Sequence, residues 1–522
     1  MEKKNLPLFY FTLLICTFIL CVFLLNFRLI FAPMKAALED KDIKFSDFTE
    51  QIHIQYINKF SPRRLFVNLN GFITRGIGKK TLDYVDLMKN GMLIDYNVTH
   101  TDTSSLAQSI NKFNSHLSEN DIKFVYVQLP MKVDKNNELI YSGNINYANQ
   151  NSNELLEKLD DDVTYIDMRD YIASTPSDIE KYFYRTDHHW NTYGGFEAFN
   201  VILNHLNSEF PEKNIDVSYA DIENWNAKVY EDWFLGSLGK RTGSYFGGYD
   251  DITILTPNFN TNMSMYISNE KLFNCGKFED VVIDSSYLDK PNYFNENPYW
   301  SYIGGDFPLV NHINHSATND LKVLIIKDSF SLPVQAFLST AVKELDVIDA
   351  RIFSEATIAE YVDMTKPDIV IMAINPSVFD DTAYQDFGID EANLHISESN
   401  KNEVLKHESF KISNSLGKDE IYEEILDNLD TNAKYTVSFG DIISKSDNAH
   451  TASVAIYNAT TKKIISSYVF DLKSHTENGY EWTFITPDIK NSQYSLIIYP
   501  GLITDTENEL MEFKQLVVYK YE

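Results

Sequence analysis

The feature that most limits the fold is a repeated alternation of short apolar runs with helix-spaced apolar residues. Leu106, Ile110, Phe113 and Leu117 share one helical face, and "IKFVYVQLP" (122–130) follows as a buried-strand run. "NELLEKLDD" (153–161) then reads as a helix and "VTYIDM" (163–168) as a strand. Phe199, Ile202, Leu203 and Leu206 again have helical spacing. The rhythm resumes late in the chain, with strands in "LKVLIIKDSF", "LDVIDA" and "PDIVIMAI" and helices in "PVQAFLSTAVKEL" and "SEATIAEYVDMTK". Such alternation predicts an α/β domain, a mostly parallel sheet with flanking helices.

Between the two blocks, residues 211–316 lose the pattern. They read as a loop-rich, aromatic insertion containing "EDWFLGSLGKRTGSYFGGYD" and "NPYWSYIGGDFP". Beyond residue 390, "KYTVSFG", "ASVAIYN", "KIISSYVF", "EWTFITP", "YSLIIYPG" and "QLVVYKY" are short strands between turn residues. They predict a C-terminal β-sandwich over 391–522. Its aromatic residues suit either a core or a carbohydrate-binding face.

The N-terminus carries 23 residues without a charge, Asn5 to Phe27, long enough for a bilayer core of ~30 Å. Lys3 and Lys4 precede this run and favour a cytoplasmic N-terminal tip. A cleaved signal peptide would have a shorter apolar region and a small-residue cleavage site, and no convincing site follows. The expectation is a single N-terminal transmembrane helix within residues 1–27, with the later domains outside the cytoplasm of a bacterial cell. Residues 28–97 form a connecting region, whose "NKFSPRRLFVNLNGFITRGIG" is placed to pack on the main domain, 98–390. Cys16 and Cys21 fall in the apolar run, so Cys275 has no internal partner for a disulfide. The net charge of −30, from 75 acids against 45 bases, argues against nucleic acid as a partner. A polysaccharide partner is compatible with it.

Two stretches carry chemistry. In "VLIIKDSFSLP", Ser329 follows a strand and opens a helix, with Pro333 acceptable in its first turn. That is the ligand edge of an open α/β sheet, with helix N–H groups at hand for an oxyanion. In "RTDHHWNTYGG" (185–195), Asp187 and His189 supply an orienting carboxylate and a base for such a serine. Trp190 is a candidate wall for the site. Blander readings stand beside this one. Asp187 suits the cap of a helix starting near His188. The adjacent histidines suggest metal, but they lack the i, i+4 spacing of a helical zinc pair and nothing else completes a ligand set. No metal or cofactor is implied.

"DHHWNTYGG" with "IIKDSF" resembles the DHHW family of bacterial membrane-anchored proteins, which is similar to the SGNH-hydrolase-like alginate O-acetyltransferases. The resemblance runs from about Ser46 to Ser377. It implies an SGNH-like catalytic domain with Asp187 as acid, His189 as base and Ser329 as nucleophile. His188 takes no part in that trio. No GxND block is present to supply the oxyanion-hole asparagine. Besides the Ser329 N–H, the candidates are Asn375 in "AINPS" and Gly236 or Ser237 in "FLGSLGKRTG". Arg241 and Arg351 are candidate substrate-binding residues, against structural ion-pair roles for each. The implied function is O-acetylation of a cell-surface or secreted polysaccharide through an acyl-serine, with a membrane O-acyltransferase as the implied partner. The alternatives are a carbohydrate O-acetylesterase using the same residues and a non-catalytic glycan-binding assembly protein.

Overall fold

The computed structural model describes scattered residues between 10 and 24, then residues 63–267, 272–353 and 357–389, and most strands between 401 and 521. The apolar N-terminal run lies largely outside the described residues. Among those described, no helix is long and apolar enough to cross a membrane.

Eight strands form the central sheet. In chain order they are β1 (Lys123–Gln128), β2 (Tyr165–Asp167), β3 (Met263–Ile267), β4 (Leu272–Gly276), β5 (Leu309–Asn314), β6 (Lys322–Lys327), β7 (Glu344–Asp349) and β8 (Ile369–Ile374). Their spatial order is β2-β1-β8-β6-β7-β5-β3-β4. The first five in that order pair in parallel. The last three are antiparallel.

The sheet is therefore mixed, a correction to the mostly parallel expectation. The extra strands come from the region read as a loop-rich insertion. Their polar residues hid them, and each finds a hydrogen-bonding partner. Ser264 meets His315, Asn311 donates to Asp346, His312 meets Gln335, and Asn314 donates to the Thr340 carbonyl. The same region holds a ribbon of strands Trp225–Phe234 and Asp250–Pro257, with two short helices, Ser237–Thr242 and Ser244–Gly247, between them.

The parallel strands are apolar on both sides because helices cover both faces. Val125, Val127, Val323, Ile325, Val347 and Ile371 join a core under helices Thr192–Glu209 and Leu332–Leu338. The alternate residues Phe124, Tyr126, Leu324, Ile326, Ile348 and Met372 join another under helices Ser104–Glu119 and Ile358–Thr365. This period-2 split follows from the strand pleat.

Past residue 400, a five-stranded and a four-stranded sheet share one core. Trp482 is 6% exposed, and Tyr435, Phe484 and Tyr494 are buried there with it. These aromatics of the predicted strands are core residues.

Candidate active site

The C-terminal ends of the parallel strands bring two distant segments together. β6 ends at Lys327, and Asp328–Ser329 turn into a short helical stretch. Asp328 shapes this turn. Its carboxylate accepts from the Phe330 N–H at 2.9 Å and from the Asn375 N–H and Nδ2 at 2.8 and 2.7 Å. Burial pushes the Asp328 carboxyl up to about 6, against the pull of those hydrogen bonds. The Tyr384 hydroxyl donates to the Lys327 carbonyl at 2.7 Å and ties down the strand end.

The second segment is a loop closed by the Phe183–Trp190 bridge. It is pinned at nearly every residue. Asp250 accepts from the Thr186 N–H, and Gly239 donates to the Thr186 carbonyl. Buried Lys132 donates to the carbonyls of Arg185 (2.9 Å) and Asp187 (2.8 Å). Ser237 donates its N–H to Asp187 Oδ2 at 2.6 Å. That contact requires glycine at 236, since a Cβ there would lie 2.3 Å from the Asp187 Cβ.

The loop then meets the serine. His189 Nδ1 lies 2.6 Å from Asp187 Oδ1, and His189 Nε2 lies 2.7 Å from Ser329 Oγ. The His189 ring stacks on Tyr299, with centroids 4.1 Å apart and planes at 15°. The Tyr299 hydroxyl also sits 3.0 Å from the carbonyl oxygens of Ser329 and Phe330. One side chain thus braces both halves of the site. Gly195 sets the spacing of the helices behind it, because a Cβ there would come within 2.4 Å of Pro333.

Burial alone would raise the Asp187 carboxyl. The two adjacent imidazoles and the hydrogen bonds from His189 hold it well below the usual range instead. It stays a carboxylate and favours the Nδ1–H tautomer of His189, which leaves Nε2 free to accept the serine proton. His188 sits at the cavity wall, with Nδ1 2.8 Å from Ser237 Oγ. Burial, then the neighbouring His189, lowers its pKa to about 4. It is neutral at physiological pH. The substitution His188→Gln should therefore leave the activity profile between pH 5 and 8 unmoved, as rates across that range would show.

The ligand-capable atoms of Asp187, His188 and His189 lie within 4.8 Å of one another. Each of the three side chains already has a hydrogen-bonded partner: Asp187 and His189 are bonded together, and His188 meets Ser237. Asp187 caps no helix near His188; its Oδ2 instead takes the first N–H of the helix Ser237–Thr242. The helix Thr192–Glu209 takes its cap from Asn191, whose side chain accepts from Tyr193 and Gly194.

A cavity of ≈ 560 Å³ opens beside the serine, lined by Tyr96, Asn97, Lys132, His188, Phe330 and Asn375 among others. Arg241 reaches it, paired with Asp95 and the Asp83 carbonyl. Other sequence candidates sit elsewhere or are spent. Arg351 forms a two-bond ion pair with Asp349 at 2.8 and 2.6 Å, and Asp349 also pairs with Lys327. Its role is structural. Trp190 is fully buried against Phe330 and cannot touch a ligand. The Gly236 N–H is spent on Thr186 Oγ1, which removes it as an oxyanion donor. Asn375 spends its N–H and one Nδ2 hydrogen on Asp328, but the amide has a second hydrogen and faces the cavity. The Ser329 N–H begins its helical turn, where no intrahelical acceptor exists.

Lys132 and Tyr299 were not singled out from the sequence. Lys132 had a signal: a lysine in "LPMKVD", just past the end of β1, lies on the ligand edge of the sheet. Burial lowers it to about 7. Its charge therefore opposes folding most fully below pH 7, and the opposition fades as pH rises toward its unfolded value of about 10.4. Wild type should accordingly gain stability relative to Lys132→Met between about pH 7 and 10, read by urea unfolding. The same variant should lose on the order of 10–100-fold in kcat through a displaced Asp187 loop.

Residues 94–219 match a family model described as an SGNH hydrolase-like domain of the acetyltransferase AlgX. The match spans Asp187 and His189 but not Ser329. Among solved structures, PatB1 of Bacillus cereus, determined with a sulfonyl adduct, is 19% identical with a TM-score of 0.48, covering 57% of this chain and 97% of that one. A DHHW family protein from Eubacterium siraeum is 17% identical, TM-score 0.43, covering 58% and 94%. AlgX of Pseudomonas aeruginosa is 10% identical, TM-score 0.34, covering 83% and 94%. No curated protein matches the chain. The family match thus bears out, over residues 94–219, the resemblance to SGNH-like acetyltransferases.

Proposed function

We propose that the protein is an O-acetyltransferase acting on a polysaccharide through an acyl-Ser329 intermediate. The observation that carries this reading is the unbroken chain Ser329–His189–Asp187, with contacts of 2.7 and 2.6 Å, whose sequence neighbours His188 and Phe330 line a cavity. The match of residues 94–219 to an acetyltransferase domain supports the acyl chemistry.

His189 Nε2 takes the Ser329 proton as Oγ attacks the acetyl carbonyl of a donor ester. The donor's leaving oxygen departs with that proton, and the acetyl group stays on Ser329. A sugar hydroxyl then attacks the acyl-serine while His189 removes its proton. Collapse returns the proton to Ser329 Oγ and releases the acetylated sugar. The Ser329 N–H and the second Asn375 amide hydrogen are the donors proposed for the oxyanion. Residues 1–27 are proposed to anchor the chain in a bacterial membrane, with a membrane O-acyltransferase as acyl source and the domains after residue 98 outside the cytoplasm. The 23 uncharged residues from Asn5 support the anchor.

The test is incubation with an activated acetyl ester, with and without candidate oligosaccharides. Acetylated sugar is the expected product. Release of acetate alone, unchanged by any glycan, would instead make the protein an esterase.

A further inference from the structure

The helix Arg63–Gly76 is amphipathic in the wrong sense for a soluble domain. A surface helix normally turns its large apolar residues inward. Here the inward side is small or polar. Gly71 and Thr74 are buried, and a Cβ on Gly71 would meet the Thr242 carbonyl at 2.3 Å. Asn68 accepts from the Ser244 N–H at 2.9 Å. The opposite side, spaced three and four residues apart, holds Leu65 (60% exposed), Leu69 (47%), Phe72 (61%) and Ile73 (51%). Ile77 (73%) extends it, and Tyr245 (66%) adds a ring edge-on to Phe72.

Charge says what covers this face. Between Glu50 and Asp83 there is no acidic residue, while Lys59, Arg63, Arg64, Arg75, Lys79 and Lys80 all fall there. The whole chain carries −30. A basic, acid-free segment in so acidic a protein fits an anionic surface. Arg64 turns to Asn295 and the Phe294 ring, but Arg75, Lys79 and Lys80 are exposed. Apolar residues on one side with flanking bases are the chemistry of a helix that lies in a bilayer interface. Spanning is ruled out for this helix, because 14 residues rise only ~21 Å against a core of ~30 Å.

We propose that Arg63–Gly76 docks flat on an anionic phospholipid surface. Leu65, Leu69, Phe72, Ile73 and Ile77 enter the acyl boundary, and Arg75, Lys79 and Lys80 meet headgroup phosphates. The docking face backs onto the helices Ser237–Thr242 and Ser244–Gly247, and Ser237 holds Asp187. This inference stands on the helix itself and goes beyond the proposed reaction.

The test uses the full chain with Cys16, Cys21 and Cys275 changed to Ser. An environment-sensitive fluorophore is placed by Phe72→Cys, and in a control by Val229→Cys on an exposed strand. The protein is reconstituted in phosphatidylcholine–phosphatidylglycerol vesicles. Circular dichroism confirms that each variant is folded. Emission at 72 should be quenched by doxyl-labelled lipid and not by aqueous iodide, and the reverse should hold at 229. Quenching at 72 by iodide alone overturns the proposal. Shielding from both quenchers also overturns it, since another segment or a second copy would then cover the face. Arg75→Glu with Lys79→Glu and Lys80→Glu should cost most of the doxyl quenching at 72. No loss would contradict the electrostatic part.

Discussion

Replacing Ser329 by Ala is expected to cut acetyl transfer by about 10³-fold or more while leaving the fold intact. Ser329 Oγ makes its hydrogen bond to His189 Nε2 at 2.7 Å, and the turn around it is held by other groups. Asp328 carries the Phe330 and Asn375 contacts, and Tyr299 holds the carbonyls of Ser329 and Phe330. Removing one oxygen therefore takes the proposed nucleophile and nothing structural. The check is a rate with an activated ester beside an unfolding curve. A Ser329→Ala protein that is fully active would remove the nucleophile from the account.

Asp187→Asn is the second large expectation, a loss of roughly 10³–10⁴-fold in kcat. The carboxylate accepts from the Ser237 N–H, the His189 N–H and His189 Nδ1. An asparagine keeps the size but has only one acceptor oxygen for these donors. Either the Ser237 contact fails or His189 turns to the wrong tautomer and loses its base at Nε2. A stability signature accompanies this. The Asp187 pKa is lowered on folding, so its contribution is present above the unfolded value of about 3.9 and fades as pH falls below it. The stability gap between wild type and Asp187→Asn should shrink in acid. A gap that widens would show that the carboxylate is not held ionised.

The legible part of the fold was the part whose burial is apolar. "VLII", "FVYV" and "DIVIMAI" are buried on both faces and could be read as strands with no further information. β3 and β5 were missed because Ser264, Asn311, His312 and Asn314 sit inside them, and only tertiary partners make those positions tolerable. The site divides similarly. Asp187, His189 and Ser329 announce themselves by chemical type and local motif, although their meeting across 140 residues is a property of the sheet. Of the two readings open for Arg351, substrate holding and a structural ion pair, the structure shows the ion pair. Its local sign was Asp349, two residues earlier, which takes both ends of the guanidinium. Gly236 lies against Asp187, and its N–H is spent on Thr186. What matters is its missing side chain, which lets the next residue reach Asp187. Tyr299 had no local signal, since its value lies in touching two segments distant in sequence.

The proposed reaction turns on Ser329 carrying the acyl group. Its most direct measurement is the mass of the protein quenched in acid shortly after mixing with an activated acetyl ester, followed by peptide mapping. One added acetyl group is expected on the peptide containing Ser329, absent from Ser329→Ala and discharged when a competent glycan acceptor is added. Product formation at the wild-type rate with no acetyl on Ser329, or with the label on another residue, would contradict it.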